Sequence, residues 1–191
     1  MPSIKKSFLL STVCALAILA FAAPASFSQA LNSNTASVSL TATLGETLTI
    51  SATPNAVNFS LVSGGVAAGS APVAITTTWV LGSGRANVVL DAYFASSSAL
   101  TFAGPPAANI PTSAVLGQVT TGTPTTFTAF TQTGVLGTAG AGLTLFTQSL
   151  SSTNRASTRT DNLNLEIDLS SIPQLPSATY TGTLTLQAQA L

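Results

Sequence analysis

The chain is 191 residues long and carries five Lys+Arg, five Asp+Glu, one cysteine and no histidine, with 46% hydrophobic residues, 14 Gly and 10 Pro. That length and apolar content suffice for one domain with a substantial core, which excludes a disordered chain. The scarcity of charge excludes a coiled coil and a nucleic-acid binder, because neutralising phosphates takes clustered Lys and Arg.

The N-terminus has Lys5 and Lys6 ahead of a nearly unbroken apolar run from Phe8 to Ala23, followed by small residues through Ala25 and Ser28-Gln29-Ala30. This is the layout of a secretory signal peptide over residues 1–30, removed by cleavage after Ala30 or after Ala25. The run falls short of the roughly 20 apolar residues a spanning helix needs, and no later segment provides them. Removing the leader takes away both lysines, Cys14 and Met1. A single domain over 31–191 is then left with Arg85, Arg155 and Arg159 against Glu46, Asp91, Asp161, Glu166 and Asp168. Disulfides are unavailable to it, so apolar burial and backbone pairing must hold the fold.

Two-residue alternation then recurs along the chain, the mark of strands buried on one face. Ser37 to Leu44 places Val38, Leu40, Ala42 and Leu44 on one side and hydroxyls on the other, and the pattern resumes at Leu48 and Ile50 after Gly45-Glu46. Val57-Asn-Phe59-Ser-Leu61 reads as a short strand. Val73, Ile75, Thr77, Trp79 and Leu81 define the next, with Trp79 sharing the core parity, and Val88, Leu90, Ala92 and Phe94 define the one after. Residues 95–142, interrupted by Gly104-Pro105-Pro106, Ile110-Pro111 and Gly122-Thr-Pro124, read as edge strands and long loops. Leu143 to Phe146 is another short strand. Ser151 to Thr160, polar and holding two arginines, reads as an exposed loop. Leu163 to Leu169 alternates, Ile172 to Pro176 turns a corner, and alternation runs from Tyr180 to the C-terminus. Strands separated by Gly, Pro and Ser turns, with almost no helical periodicity, predict an all-β, immunoglobulin-like antiparallel β-sandwich of about seven to nine strands.

The residues needed for most catalysis are absent. With no His, Cys or Lys after the leader, neither a nucleophile–histidine pair nor a Schiff base nor a zinc site can be built. Glu166 and Asp168, two apart on a strand, would share a face roughly 7 Å apart, a spacing compatible with paired-carboxylate chemistry, but they read as solvated strand-face charges. Asp161, Glu166 and Asp168 with Asn162 and Asn164 match no calcium loop. The expectation is a non-enzymatic chain with no cofactor and no metal.

Four stretches together carry a resemblance: Ser37-Val-Ser-Leu-Thr-Ala-Thr-Leu44, Thr47-Leu-Thr-Ile-Ser51, Val57-Asn-Phe59 and Leu175-Pro-Ser-Ala-Thr-Tyr180-Thr-Gly182-Thr-Leu-Thr-Leu186. They resemble the secreted β-sandwich domains of spore coat protein U and the archaic chaperone-usher pilins. This chain departs from them in lacking a cysteine after the leader, and so lacks their usual disulfide. The resemblance implies a sandwich short of one strand, filled by an N-terminal segment of a neighbour. Val38, Leu40, Ala42 and Leu44 would be the inserting residues, and self-association or a periplasmic chaperone and usher the partners. Residues alone leave open that Ser37–Leu44 is the domain's own first strand.

The sequence thus predicts a secreted structural protein of the periplasm or surface of a bacterium, with a pilin-like subunit as one form. An extracellular carbohydrate- or matrix-binding module, using loop residues such as Phe102 or Phe130 between 95 and 142, is the alternative. A small outer-membrane barrel shares the alternation, but nine aromatics after the leader are few for two girdles.

Overall fold

The computed structural model describes residues 33–132 and 142–191; the leader and the segment 133–141, part of the stretch read as edge strands and long loops, lie outside the described residues. Residues Thr43–Leu191 form one compact unit. Its strands are β1 (Thr47–Thr53), β2 (Val66–Ala68), β3 (Val73–Val80), β4 (Asn87–Tyr93), β5 (Ser98–Phe102), β6 (Ala108–Pro111), β7 (Val115–Val119), β8 (Thr128–Ala129), β9 (Gly142–Ser149), β10 (Ala156–Asp168) and β11 (Thr185–Ala190), with one 3-10 turn at Thr112–Ala114. The protein is all-β and antiparallel, as the alternation predicts. Three of the eleven strands, β2, β6 and β8, are four residues or shorter, which accounts for the excess over the expected seven to nine.

One sheet runs β1-β3-β10-β7-β8, with β2 added beside β10; the second runs β11-β4-β9; β5 and β6 form a separate hairpin. Inward-facing residues of both large sheets meet in one core that contains Ile75, Trp79, Val88, Leu90, Val119, Phe130, Leu143, Leu145, Leu163 and Ile167. Each such side chain contributes on the order of 1.5–3 kcal/mol when fully buried. Trp79 lies in this core, and its indole N–H donates to the Asn154 carbonyl at 2.8 Å. Phe94 and Phe130 meet edge to face, with ring centroids 5.3 Å apart. Opposite Leu90 and Asp91 the β4–β9 register shifts, so that Leu145 has no direct partner and both Leu145 and Phe146 turn into the core. That is the effect of a β-bulge on a strand that must fill extra volume.

Four segments differ from their sequence reading. Residues 37–44 form no strand, since alternation yields a strand only where a second backbone accepts its hydrogen bonds. Val57 to Leu61 makes only an isolated bridge, Phe59 with Gly69, although Val57, Phe59 and Leu61 pack on the core. β7 is not an edge, because it lies between β10 and β8. Ser151 to Thr160 is not a loop throughout: a turn at Ser151 to Asn154 leads directly into the thirteen-residue β10. Two of its outward positions are threonines, and Thr76 with Thr160 and Thr78 with Thr158 pair hydroxyls at 2.9 Å across the β3–β10 ladder.

The topology identifies the strands by position. In an immunoglobulin domain one sheet has the order of its first, second, fifth and fourth strands, and β1-β3-β10-β7 has that order here. Between β10 and β11, Tyr180 donates its hydroxyl to the Pro176 carbonyl four residues upstream at 2.8 Å. This is the tyrosine corner that precedes the sixth strand of such domains. β11 therefore occupies the sixth position, beside β4 in the third.

Candidate functional site

In a complete immunoglobulin sandwich a seventh strand covers the free side of the sixth. Among the described residues β11 pairs only with β4, and β1 pairs only with β3. These two edges approach each other along one side of the sandwich. The carboxylate of Glu46, just before β1, accepts hydrogen bonds from Arg85 Nε at 3.3 Å and Nη2 at 3.1 Å, while Arg85 Nη1 donates to the carbonyl of Ala190, the last residue of β11. The start of β1 thus lies by the end of β11.

The apolar floor of this opening is incompletely covered. On β4, Val88, Leu90 and Ala92 are fully buried, whereas their β11 partners Ala190, Ala188 and Leu186 are only half-buried. Across the opening, Leu48 and Ala52 of β1 are half-buried and Ile50 is 36% exposed. Ala188 and Ala190 are small, and with Leu48, Ile50 and Ala52 they make a partly exposed apolar strip, a shallow groove only in this sense, flanked by two unpaired backbone edges. Nothing in the alternation of Leu184 to Ala190 distinguishes it from an ordinary buried face; the only trace in sequence is that two of the inward residues are alanine.

Ser37 to Leu44 lacks secondary structure, and Val38, Leu40 and Leu44 are 81, 90 and 84% exposed. Ala42 is exposed as well. Apolar residues at alternate positions are thus presented to solvent.

At the end of the groove the charged groups form a clasp. Besides Arg85, the Gly82 N–H donates to Glu46 Oε1 at 2.6 Å, and Arg155 Nη1 donates to the carbonyls of Gly82 and Arg85. The Arg85 guanidinium first, and the Gly82 N–H second, hold the Glu46 carboxyl below the usual range.

Glu166 and Asp168 lie on the outward parity of β10, half-buried, opposite the buried Leu165 and Ile167. Glu166 stands between Ala68 and Leu116 on the neighbouring strands. Asp168 Oδ1 accepts the Ser170 N–H at 2.8 Å, and contacts with Ser170 lower its carboxyl. Asp161 instead faces inward and pairs with Arg159, so the three acids do not converge; among the described residues no group of three or more acidic, His or Cys side chains is arranged to hold a metal ion. Phe130 is fully buried and Phe102 packs against Tyr180, so neither loop aromatic stands free as a sugar platform. No helix among the described residues is long and apolar enough to cross a membrane. Comparisons with family models, curated proteins and solved structures find no match for this chain.

Proposed function

We propose that this chain is a non-catalytic, secreted structural subunit of the bacterial surface that self-associates by strand addition. The observation that carries the reading is the pair of unpaired edges, β1 and β11, with the partly exposed apolar residues beside them. The alternating residues Val38, Leu40, Ala42 and Leu44 of a second copy match it in chemistry. An extended segment on one of these edges gains main-chain hydrogen bonds, and its alternate side chains pack against the half-buried Ala188 and Ala190. Covering the edges also removes exposed strand templates that a chain so poor in charge does little to protect. A periplasmic chaperone that lends a strand before assembly is the partner this reading calls for.

The test is oligomeric state. The exported protein should give SDS-resistant ladders in unheated gels, lost when residues through Leu44 are deleted and when Leu40→Asp alone is introduced, while the folded body keeps its circular dichroism. A mature protein that stays monomeric at high concentration, unchanged by either alteration, would sink the reading.

A further inference from the structure

We propose that Asp91 is a proton-operated lock on the three-stranded sheet: protonation of its carboxyl tightens β11-β4-β9, and ionisation loosens it. The inference is independent of strand addition, although β11 is one wall of the groove.

Asp91 lies on the central strand of that sheet, on the opposite parity from Val88, Leu90 and Ala92, at the point where the β4–β9 register shifts. It is 3% exposed, and its Oδ1 has no hydrogen-bond partner in the protein. Its cross-strand neighbours are Gln187 on β11 and Thr144 on β9. On its own strand Val89 and Tyr93 share its face, and the Tyr93 hydroxyl donates to Gln187 Oε1 at 3.4 Å. Beyond β9, Gln132 accepts the Thr144 N–H. None of these groups is charged, and neither β9 nor β11 contains a charged residue. The three arginines of the compact unit are engaged elsewhere, with Glu46, with the carbonyls of Gly82 and Arg85, and with Asp161.

A carboxylate in such a place has lost its water without gaining a cation, which disfavours the charged form. Desolvation accordingly pushes the Asp91 carboxyl above its ordinary range, and a hydrogen bond with Thr144 offsets part of this. The protonated acid removes the charge and has one O–H to donate to a neighbouring oxygen on β9 or β11. The sign of the linkage follows. Between the unfolded value and the raised folded value, the folded state holds a proton that the unfolded state has lost. Stability from this group is therefore present in acid and disappears as pH rises through the folded value, opposite to the behaviour of Glu46 and Asp168.

The experiment is a carbon-detected carboxyl titration of the full chain by NMR, together with urea unfolding of wild type and Asp91→Asn at about pH 3 and pH 7, values bracketing the ordinary carboxylate range. Asp91 should titrate above the ordinary aspartate range. Asp91→Asn should raise the folding equilibrium constant at neutral pH by about tenfold for each unit of upward shift, with the gain fading toward acid. Titration of Asp91 within or below the ordinary aspartate range would overturn the proposal, and so would an Asn variant that loses stability at neutral pH with an unchanged pH slope. If Asp91→Asn fails to fold, the wild-type titration decides alone.

Discussion

Arg159 and Asp161, two residues apart on β10, form a paired contact, with Nε to Oδ2 at 2.6 Å and Nη2 to Oδ1 at 2.8 Å. The Thr121 hydroxyl adds a donor to Oδ1 at 2.8 Å, and the guanidinium carbon lies 4.7 Å from the centroid of the Phe146 ring on the opposite sheet. A pair on one strand therefore also joins the two sheets. Its members differ in burial: the Asp161 side chain is 1% exposed and that of Arg159 is 27%.

That asymmetry sets the order of two substitutions. Asp161→Ala frees Arg159, which can swing into water, and should cost about 3 kcal/mol, the low end for breaking a buried pair. Arg159→Ala strands a buried carboxylate with only Thr121 to satisfy it and also removes the contact with Phe146, so it should cost more. Urea unfolding of both variants checks the order. Equal costs, or a cheaper Arg159→Ala, would mean that the pair is screened like a surface contact.

The tyrosine corner provides a second test. Tyr180→Phe removes one hydrogen bond to Pro176 and should cost about 1 kcal/mol. Gly182→Ala should cost more, about 2 kcal/mol, because a Cβ there would run into the backbone carbonyl of Ala99 and overpacking against rigid backbone forces the chain to move. It should also part Thr181 from Thr101, whose N–H groups donate to each other's carbonyls at 2.8 and 3.0 Å. Amide exchange at Thr101 and Thr181 would report the separation.

These contacts also explain what could be read from the sequence. Val73 to Leu81 and Val88 to Phe94 were legible as strands because nearly every inward position is apolar. The first half of β10 was not, because Arg159 and Asp161 fill inward positions and break the alternation. Ser37 to Leu44 shows the reverse case, a strong pattern with no partner strand, since pattern records which face can be buried and not what buries it. Alternation continues from Tyr180, yet pairing with β4 begins only at Thr185, because Gly182 lies against the β5 backbone first. The groove was invisible for a related reason: small residues at Ala188 and Ala190 define it only once β11 is known to be an edge.

The clasp at Glu46 should be sensitive to pH and salt. Its lowered carboxyl means that its contribution is present above the unfolded value and lost as pH falls through the folded one. Glu46→Gln should lower the melting temperature at neutral pH. The gap to wild type should close below about pH 4, and it should narrow in about 1 M salt, where exposed charges are screened. Comparing the two proteins at each pH cancels the opposite contribution of Asp91. A gap that persists in acid would assign the effect to the Gly82 hydrogen bond or to packing.

Filling the groove should separate assembly from folding. Ala188 is half-buried on the inward face of β11, paired with the fully buried Leu90 of β4. Ala188→Leu adds three carbons above the core, each worth up to about 0.8 kcal/mol if buried, on the face an incoming strand would cover. The body should therefore melt at the same temperature or higher, while SDS-resistant ladders disappear. Gln189, the next residue along, is exposed on the opposite face, so Gln189→Leu adds comparable apolar bulk to the same edge without entering the groove, and its ladders should persist. If both variants assemble, the groove is not the site of association. If both fail, β11 matters for its outer face or its overall stability, and the strand-addition reading falls with its central observation.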